Sequence, residues 1–165
     1  MDGRAQSINV MKNYLLTLLG FLALNFGGLW LGGLATTPGV TSEWYTTLNQ
    51  APWTPPGWVF GLAWTIIGIT FSVFCANEWK NRHENPIPMV LFVESLLLNI
   101  FWNYVFFAEH TIAGGFIIST LSAIIFLMAH YTRIIGGWKR AIWIMPYFIW
   151  LMIASSLNWY IVIMN

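Results

Sequence analysis

KNYLLTLLGFLALNFGGLWLGGLATTPGVTSE, residues 12–43, opens on a lysine, closes on a glutamate and holds no formal charge between them. At a rise of about 1.5 Å per residue, its apolar part is long enough to cross a hydrocarbon core of about 30 Å. Trp44 to Asn77, Thr111 to Thr132 and Ala141 to Asn165 are likewise uncharged. A further crossing runs from Pro88 to Ala108 if one carboxyl, Glu94, is tolerated. The expectation is an all-α fold: an integral membrane bundle of five transmembrane helices forming one domain over residues 1–165.

Composition agrees. Charged residues make up 8% and hydrophobic residues 58% of the chain, against about 25% and 45–50% in soluble domains. Such a chain cannot cover its apolar surface with polar groups in water. A net charge of +1 with no basic stripe argues against a nucleic-acid partner. Cys75 is the only cysteine, so there is no intrachain disulfide and no thiolate cluster. It is expected to be a small buried residue of the second span. His83, His110 and His130 have no companions at metal-ligand spacing, and no metal site is expected. A phosphate-cradling glycine loop, a nucleophile elbow and paired carboxylates are all missing, which argues against conventional hydrolysis or phosphoryl transfer.

The spans are expected at about Lys12–Ala35, Gly57–Trp79, Pro88–Ala108, Ala113–Ile134 and Lys139–Ile163. Met1 to Met11 reads as a polar lead, and Met11 is itself a candidate initiator, which would make the residues before it an appendage. The first apolar stretch is too long for a cleaved signal peptide. With five spans, Arg4, Lys12, Lys80, Arg82, Arg133, Lys139 and Arg140 all fall on the amino-terminal side and none on the other. By the positive-inside rule, the amino terminus is cytoplasmic and the carboxyl terminus outside. Gly28 and Gly32 on the first span, and Gly57, Gly61 and Gly68 along one side of the second, are expected to pack against other helices of the chain. The third span has no glycine, which leaves any homodimer surface unlocated.

The first loop, from Trp44 to Trp58, packs prolines at 52, 55 and 56 between rigid rings. Interface anchoring explains the tryptophans singly. Prolines that preset φ and restrain the preceding residue point instead to an ordered lid over one end of the bundle. Within the spans, Asn99, Trp102 and Phe106 share a helical face, as do Tyr147, Trp150, Ala154 and Asn158. Trp64 lies on the glycine side of the second span, and Ser119 and Ser122 on neighbouring turns of the fourth. In lipid, these amides and hydroxyls should face inward, bonding one another or a ligand. Aromatic walls with a few polar groups suit a flat apolar molecule. Glu94 sits about 140° round the helix from Asn99, at about 100° per residue. An interhelical hydrogen bond is expected of it in preference to proton transport.

Trp44-Tyr45-x-x-Leu48 followed by Pro52, Pro55-Pro56, Phe60 and Trp64, then Asn99-x-x-Trp102-x-x-x-Phe106-Phe107, then Pro146-Tyr147-x-x-Trp150-x-x-x-Ala154-x-x-Leu157-Asn158, form three blocks in order. In these blocks the chain resembles the translocator protein family, also called TspO, tryptophan-rich sensory protein or peripheral benzodiazepine receptor. The resemblance implies a five-helix bundle, often a homodimer, whose first loop closes a pocket for porphyrins such as protoporphyrin IX and for drug-like ligands. It implies Tyr45 and Pro55 on the lid side, and Trp64, Asn99, Trp102, Trp150 and Ala154 as walls, with Tyr147 on the same face. Ser119 and Ser122 would lie on the fourth-helix side. It also implies, for some bacterial relatives, light-dependent breakdown of protoporphyrin tied to tryptophans matching Trp64 and Trp150. No cofactor is required, with porphyrin as ligand or substrate.

Departures from the family pattern are Glu94 in place of glutamine, Asn49 and Gln50 in place of a lysine, and a tail ending at Asn165 without the arginine of the sterol motif. A Leu127-x-x-x-Tyr131-x-Arg133 pattern fits only a loose sterol consensus. These departures favour a tetrapyrrole-type protein of a bacterial cell membrane over a sterol carrier. The rival expectations are a transporter of lipid, sterol or small solutes, and a structural partner in a membrane complex.

Overall fold

Proline and glycine set most of the helix ends. A computed structural model describes residues 2–165. It contains α1 (Asp2–Gly39), α2 (Glu43–Thr47), α3 (Gly57–Glu78), α4 (Ile87–Asn103), α5 (Gly114–Gly136), α6 (Trp138–Ala141) and α7 (Met145–Met164). Among the described residues there is no strand. Pro88 and Pro146 lie in the first turns of α4 and α7, where a missing N–H costs no intrahelical bond. Gly137, at φ +71°, stops α5 in a left-handed conformation that only glycine takes freely. Among the described residues, five helices are long and apolar enough to span a bilayer.

Two boundaries differ from expectation. The polar lead is not a separate segment: α1 begins at Asp2, and no glycine or proline from Arg4 to Leu19 interrupts it. The last span begins at Met145 rather than Lys139, because Trp138–Ala141 forms its own short helix and Pro146 must sit in a first turn.

The five spans alternate in direction, which gathers the basic residues at the amino-terminal end. There Lys80 Nζ lies 5.4 Å from the centre of the Tyr14 ring, and Arg140 Nη1 lies 3.8 Å from Glu78 Oε1. This half of the bundle is solid. Phe71, Phe74, Ile125, Met128, Ile144 and Leu151 are essentially inaccessible, and Cys75 is buried among them as expected. Without a hydrophobic force between helices in lipid, dispersion and close fit hold this region together.

α1 meets α4 along a stripe of small residues. A Cβ on Gly28 would lie 2.6 Å from Leu96 Cδ1, and one on Gly32 would lie 2.7 Å from Asn103 Nδ2. The Gly28–Gly32 pair therefore packs within the chain. Gly68 does likewise against Phe26, but Gly57 and Gly61 have nothing within 4 Å of a Cβ position. Their expected packing role fails because α1 and α3 separate toward the far end. Glu94 is exposed on the outer face of α4, and among the described residues it makes no hydrogen bond to another helix. The expected interhelical bond is absent, since the face opposite Asn99 has no neighbouring helix.

Candidate functional site

The first loop folds as a lid. Ser42 caps α2, its Oγ accepting from the Tyr45 N–H at 3.2 Å. Trp44 stacks on His110, ring centres 5.0 Å apart, and meets Phe106 edge-on at 5.2 Å. Tyr45 packs on Phe107 at 5.5 Å. The loop is fastened to α7 as well: Asn49 N–H donates to Asn165 Oδ1 (2.9 Å) and Trp53 Nε1 to Ser156 Oγ (3.1 Å). Plain anchor residues would need none of these ties.

At the carboxyl-terminal end of α4 the helix widens into a π turn, Tyr104–Ala108. The extra residue in that turn lets adjacent Phe106 and Phe107 both point inward, 2% and 6% exposed. Beneath the lid lies a chamber of about 910 Å³ between α1, α3 and α4, at the upper end of the 300–1,000 Å³ common for small-molecule sites. Tyr45, Gln50, Thr54, Pro55, Phe60, Trp64, Asn99, Trp102, Asn103 and Phe107 line it, with Phe26, Leu29, Gly33, Thr36 and Thr37 from α1. A nook of about 50 Å³ adjoins it, sharing Tyr45, Phe60, Trp64 and Trp102 and adding Phe106, Trp150, Ala154 and Asn158.

Of the residues expected from sequence, Tyr45, Pro55, Trp64, Asn99 and Trp102 thus come together around the chamber. Trp150 and Ala154 reach only the nook, because the Trp150 ring is packed edge-on against Phe60 (5.2 Å) and Trp64 (6.5 Å). Tyr147 lies deeper, 3% exposed, lining a space of about 20 Å³ and accepting from Asn99 Nδ2 at 3.4 Å. Ser119 and Ser122 line none of these spaces. Ser119 Oγ accepts from Trp159 Nε1 at 2.7 Å, and Ser122 Oγ bonds Ser155 Oγ at 2.8 Å, so both are used in joining α5 to α7.

The sequence reading missed Thr36, Gln50 and Asn103. Thr36 Oγ1 donates to Asn103 Oδ1 at 2.5 Å, and Asn103 Nδ2 to the Asn99 carbonyl at 2.7 Å, which fixes the polar wall between α1 and α4. The signal was present in the four-residue spacing of Asn99 and Asn103. Trp102 Nε1 donates to Asn158 Oδ1 at 3.2 Å. Among the described residues the Trp64 and Trp150 indoles make no such donation.

Among the described residues, no Lys, Arg, His, Asp or Glu lines any of the three spaces. Burial pushes the Tyr45 phenol above its ordinary value, so it stays neutral at the lid. The arrangement offers ring faces and neutral donors and acceptors, without an acid, base or nucleophile poised for bond cleavage.

The TspO/MBR family profile matches residues 21–164. The chain is 29% identical over 160 residues to the tryptophan-rich protein TspO of Archaeoglobus fulgidus, covering 96% of this chain and 99% of that one. It is 31% identical over 139 residues to the tryptophan-rich protein TspO of Chlorobaculum tepidum (81% and 86%). To the translocator protein of Ovis aries it is 27% identical over 140 residues (78% and 80%).

Proposed function

The chain belongs to the TspO/MBR family of membrane proteins, and from that premise we propose that it is a receptor for porphyrins, protoporphyrin IX among them, and for similar flat, apolar ligands. The observation that carries this reading is the uncharged chamber of about 910 Å³ inside the bundle, walled by Tyr45, Phe60, Trp64, Trp102 and Phe107. A planar macrocycle presents two π faces and an edge. Offset or edge-to-face contact with indole and phenyl rings stabilises it by about 0.5–1.5 kcal/mol per ring pair beyond area burial. Carboxylates on its rim would meet Thr37, Thr41, Gln50 and Thr54 beneath the lid and no cation. In this reading the amino terminus is cytoplasmic and the lid lies outside.

Trp64 borders both chamber and nook, 6.5 Å from Trp150. An indole against a photoexcited porphyrin can donate an electron to it, giving an indole radical and a reduced macrocycle, and the fastened lid would retain the product. Light-dependent degradation belongs to this proposal on that ground. A solute pathway has less support, because Glu94 faces away from the chamber and the amino-terminal half is solid.

The test is titration of the purified protein with protoporphyrin in the dark, followed by illumination. Saturable tryptophan quenching supports the receptor. Pigment loss abolished by Trp64→Phe or Trp150→Phe supports photodegradation. Quenching that never saturates would overturn the receptor reading and favour transport.

A further inference from the structure

We propose that the chamber is loaded sideways, from the hydrocarbon of the lid-side leaflet, through a glycine-rimmed mouth between α1 and α3. The proposal rests on the receptor reading for the identity of the ligand, whereas the mouth itself is a property of the two helices.

Toward the amino-terminal end, α1 and α3 are clamped together. Asn25 Nδ2 donates to Ser72 Oγ at 2.9 Å, and the Phe26 ring lies 3.1 Å from the place a Cβ on Gly68 would occupy. Above this sill the helices part. Gly33 of α1 and Gly57 and Gly61 of α3 all border the chamber, and none has a heavy atom within 4 Å of its Cβ position. Thr37 and Thr65, on the same two edges, are exposed.

A glycine inside a helix costs about 1 kcal/mol relative to alanine. Close approach of a neighbour explains Gly28, Gly32 and Gly68, but nothing approaches Gly33 or Gly61. What their missing side chains provide is width. From Gly57 to Thr65 the mouth extends about 12 Å along α3 at 1.5 Å per residue, most of one leaflet of a core about 30 Å thick. Trp58, 70% exposed at the start of α3, marks the interface end.

The alternative route passes through the lid, which Asn49 and Trp53 tie to α7 by hydrogen bonds. An apolar molecule using that route would have to cross water and break those bonds. The mouth asks neither of a molecule already dissolved in the bilayer. Its ligand is therefore a flat amphiphile whose polar edge stays at the interface, near Thr37 and Thr54, while its apolar body enters toward Trp64.

The double variant Gly33→Leu, Gly61→Leu narrows the mouth with side chains that meet open space and favour helix, and near-ultraviolet circular dichroism checks that its fold is kept. In phospholipid vesicles carrying diazirine-labelled stearic acid, photolysis of the parent chain should label Trp64 or Asn103 as well as the outward Leu97. The double variant should lose the interior label and keep that at Leu97. Interior labelling absent from the parent, or undiminished in the variant, would overturn the proposal. With vesicles preloaded with protoporphyrin, stopped-flow quenching should show association at least tenfold slower for the double variant and unchanged for the lid variant Asn49→Ala. Faster association on loosening the lid, with no effect of the glycine variant, would refute the lateral route. Interior labelling by stearate without saturable porphyrin quenching would defeat the receptor reading and leave the mouth supported.

Discussion

Adjacent glycines of α1 offer a test in which helix propensity cancels. Gly32→Ala and Gly33→Ala each gain about 1 kcal/mol of intrinsic helix preference. A Cβ at 33 meets open space, so that variant should be neutral to stabilised. A Cβ at 32 lies 2.7 Å from Asn103 Nδ2 and 3.1 Å from its Cγ, too near to be accommodated without displacing the amide. Displacement breaks two hydrogen bonds, Thr36 Oγ1 to Asn103 Oδ1 (2.5 Å) and Asn103 Nδ2 to the Asn99 carbonyl (2.7 Å). Side-chain bonds between membrane helices average about 0.6 kcal/mol and reach about 1.7. The two substitutions should thus differ by about 1–3 kcal/mol, with Gly32→Ala the less stable. Unfolding in mixed micelles of increasing SDS fraction, followed by circular dichroism, measures the difference. Equal stabilities would refute the α1–α4 crossing through Gly32.

Ser122→Ala should leave porphyrin affinity unchanged while lowering stability by under about 1 kcal/mol, because its hydroxyl bonds Ser155 and borders no cavity; an affinity loss of tenfold would place it in the site after all. Glu94→Gln should alter neither affinity nor photodegradation, as its side chain faces outward, and dark titration checks this. Burial raises the Tyr45 phenol above its ordinary value. The stability it contributes as a neutral group is therefore complete below pH about 10 and lost as pH rises through its higher folded value. Thermal melts of the parent and Tyr45→Phe should then keep a constant gap at neutral pH, and the parent alone should lose ground in strong alkali.

Much of the fold was legible because lipid imposes a strict rule on charge and length. The four uncharged stretches between Lys12 and Asn165, and the stretch from Pro88 to Ala108 that carries only Glu94, became five spans among the described residues, and the faces of Asn99–Trp102–Phe106 and Tyr147–Trp150–Ala154–Asn158 did turn inward. Periodicity gives a helix its inner face but not the neighbour that face meets. Gly57, Gly61 and Gly68 share one stripe in the sequence. Only the angle at which α1 crosses α3 decides that Gly68 is covered while Gly57 and Gly61 open on a cavity. Likewise, Ser119 and Ser122 are only half-buried, and their hydroxyls are used by Trp159 and Ser155 at the contact of α5 with α7. The widened turn at Tyr104–Ala108, which seats Phe106 and Phe107 together, has no signature in the pattern of apolar residues.

Where the macrocycle lies decides most. A structure of the protein in lipid nanodiscs with protoporphyrin added should show planar density beneath the lid, against Trp64 and Trp102 and within reach of Asn99 and Thr54. Density lying only on the lipid-facing surface, with the space between α1, α3 and α4 empty, would contradict the account.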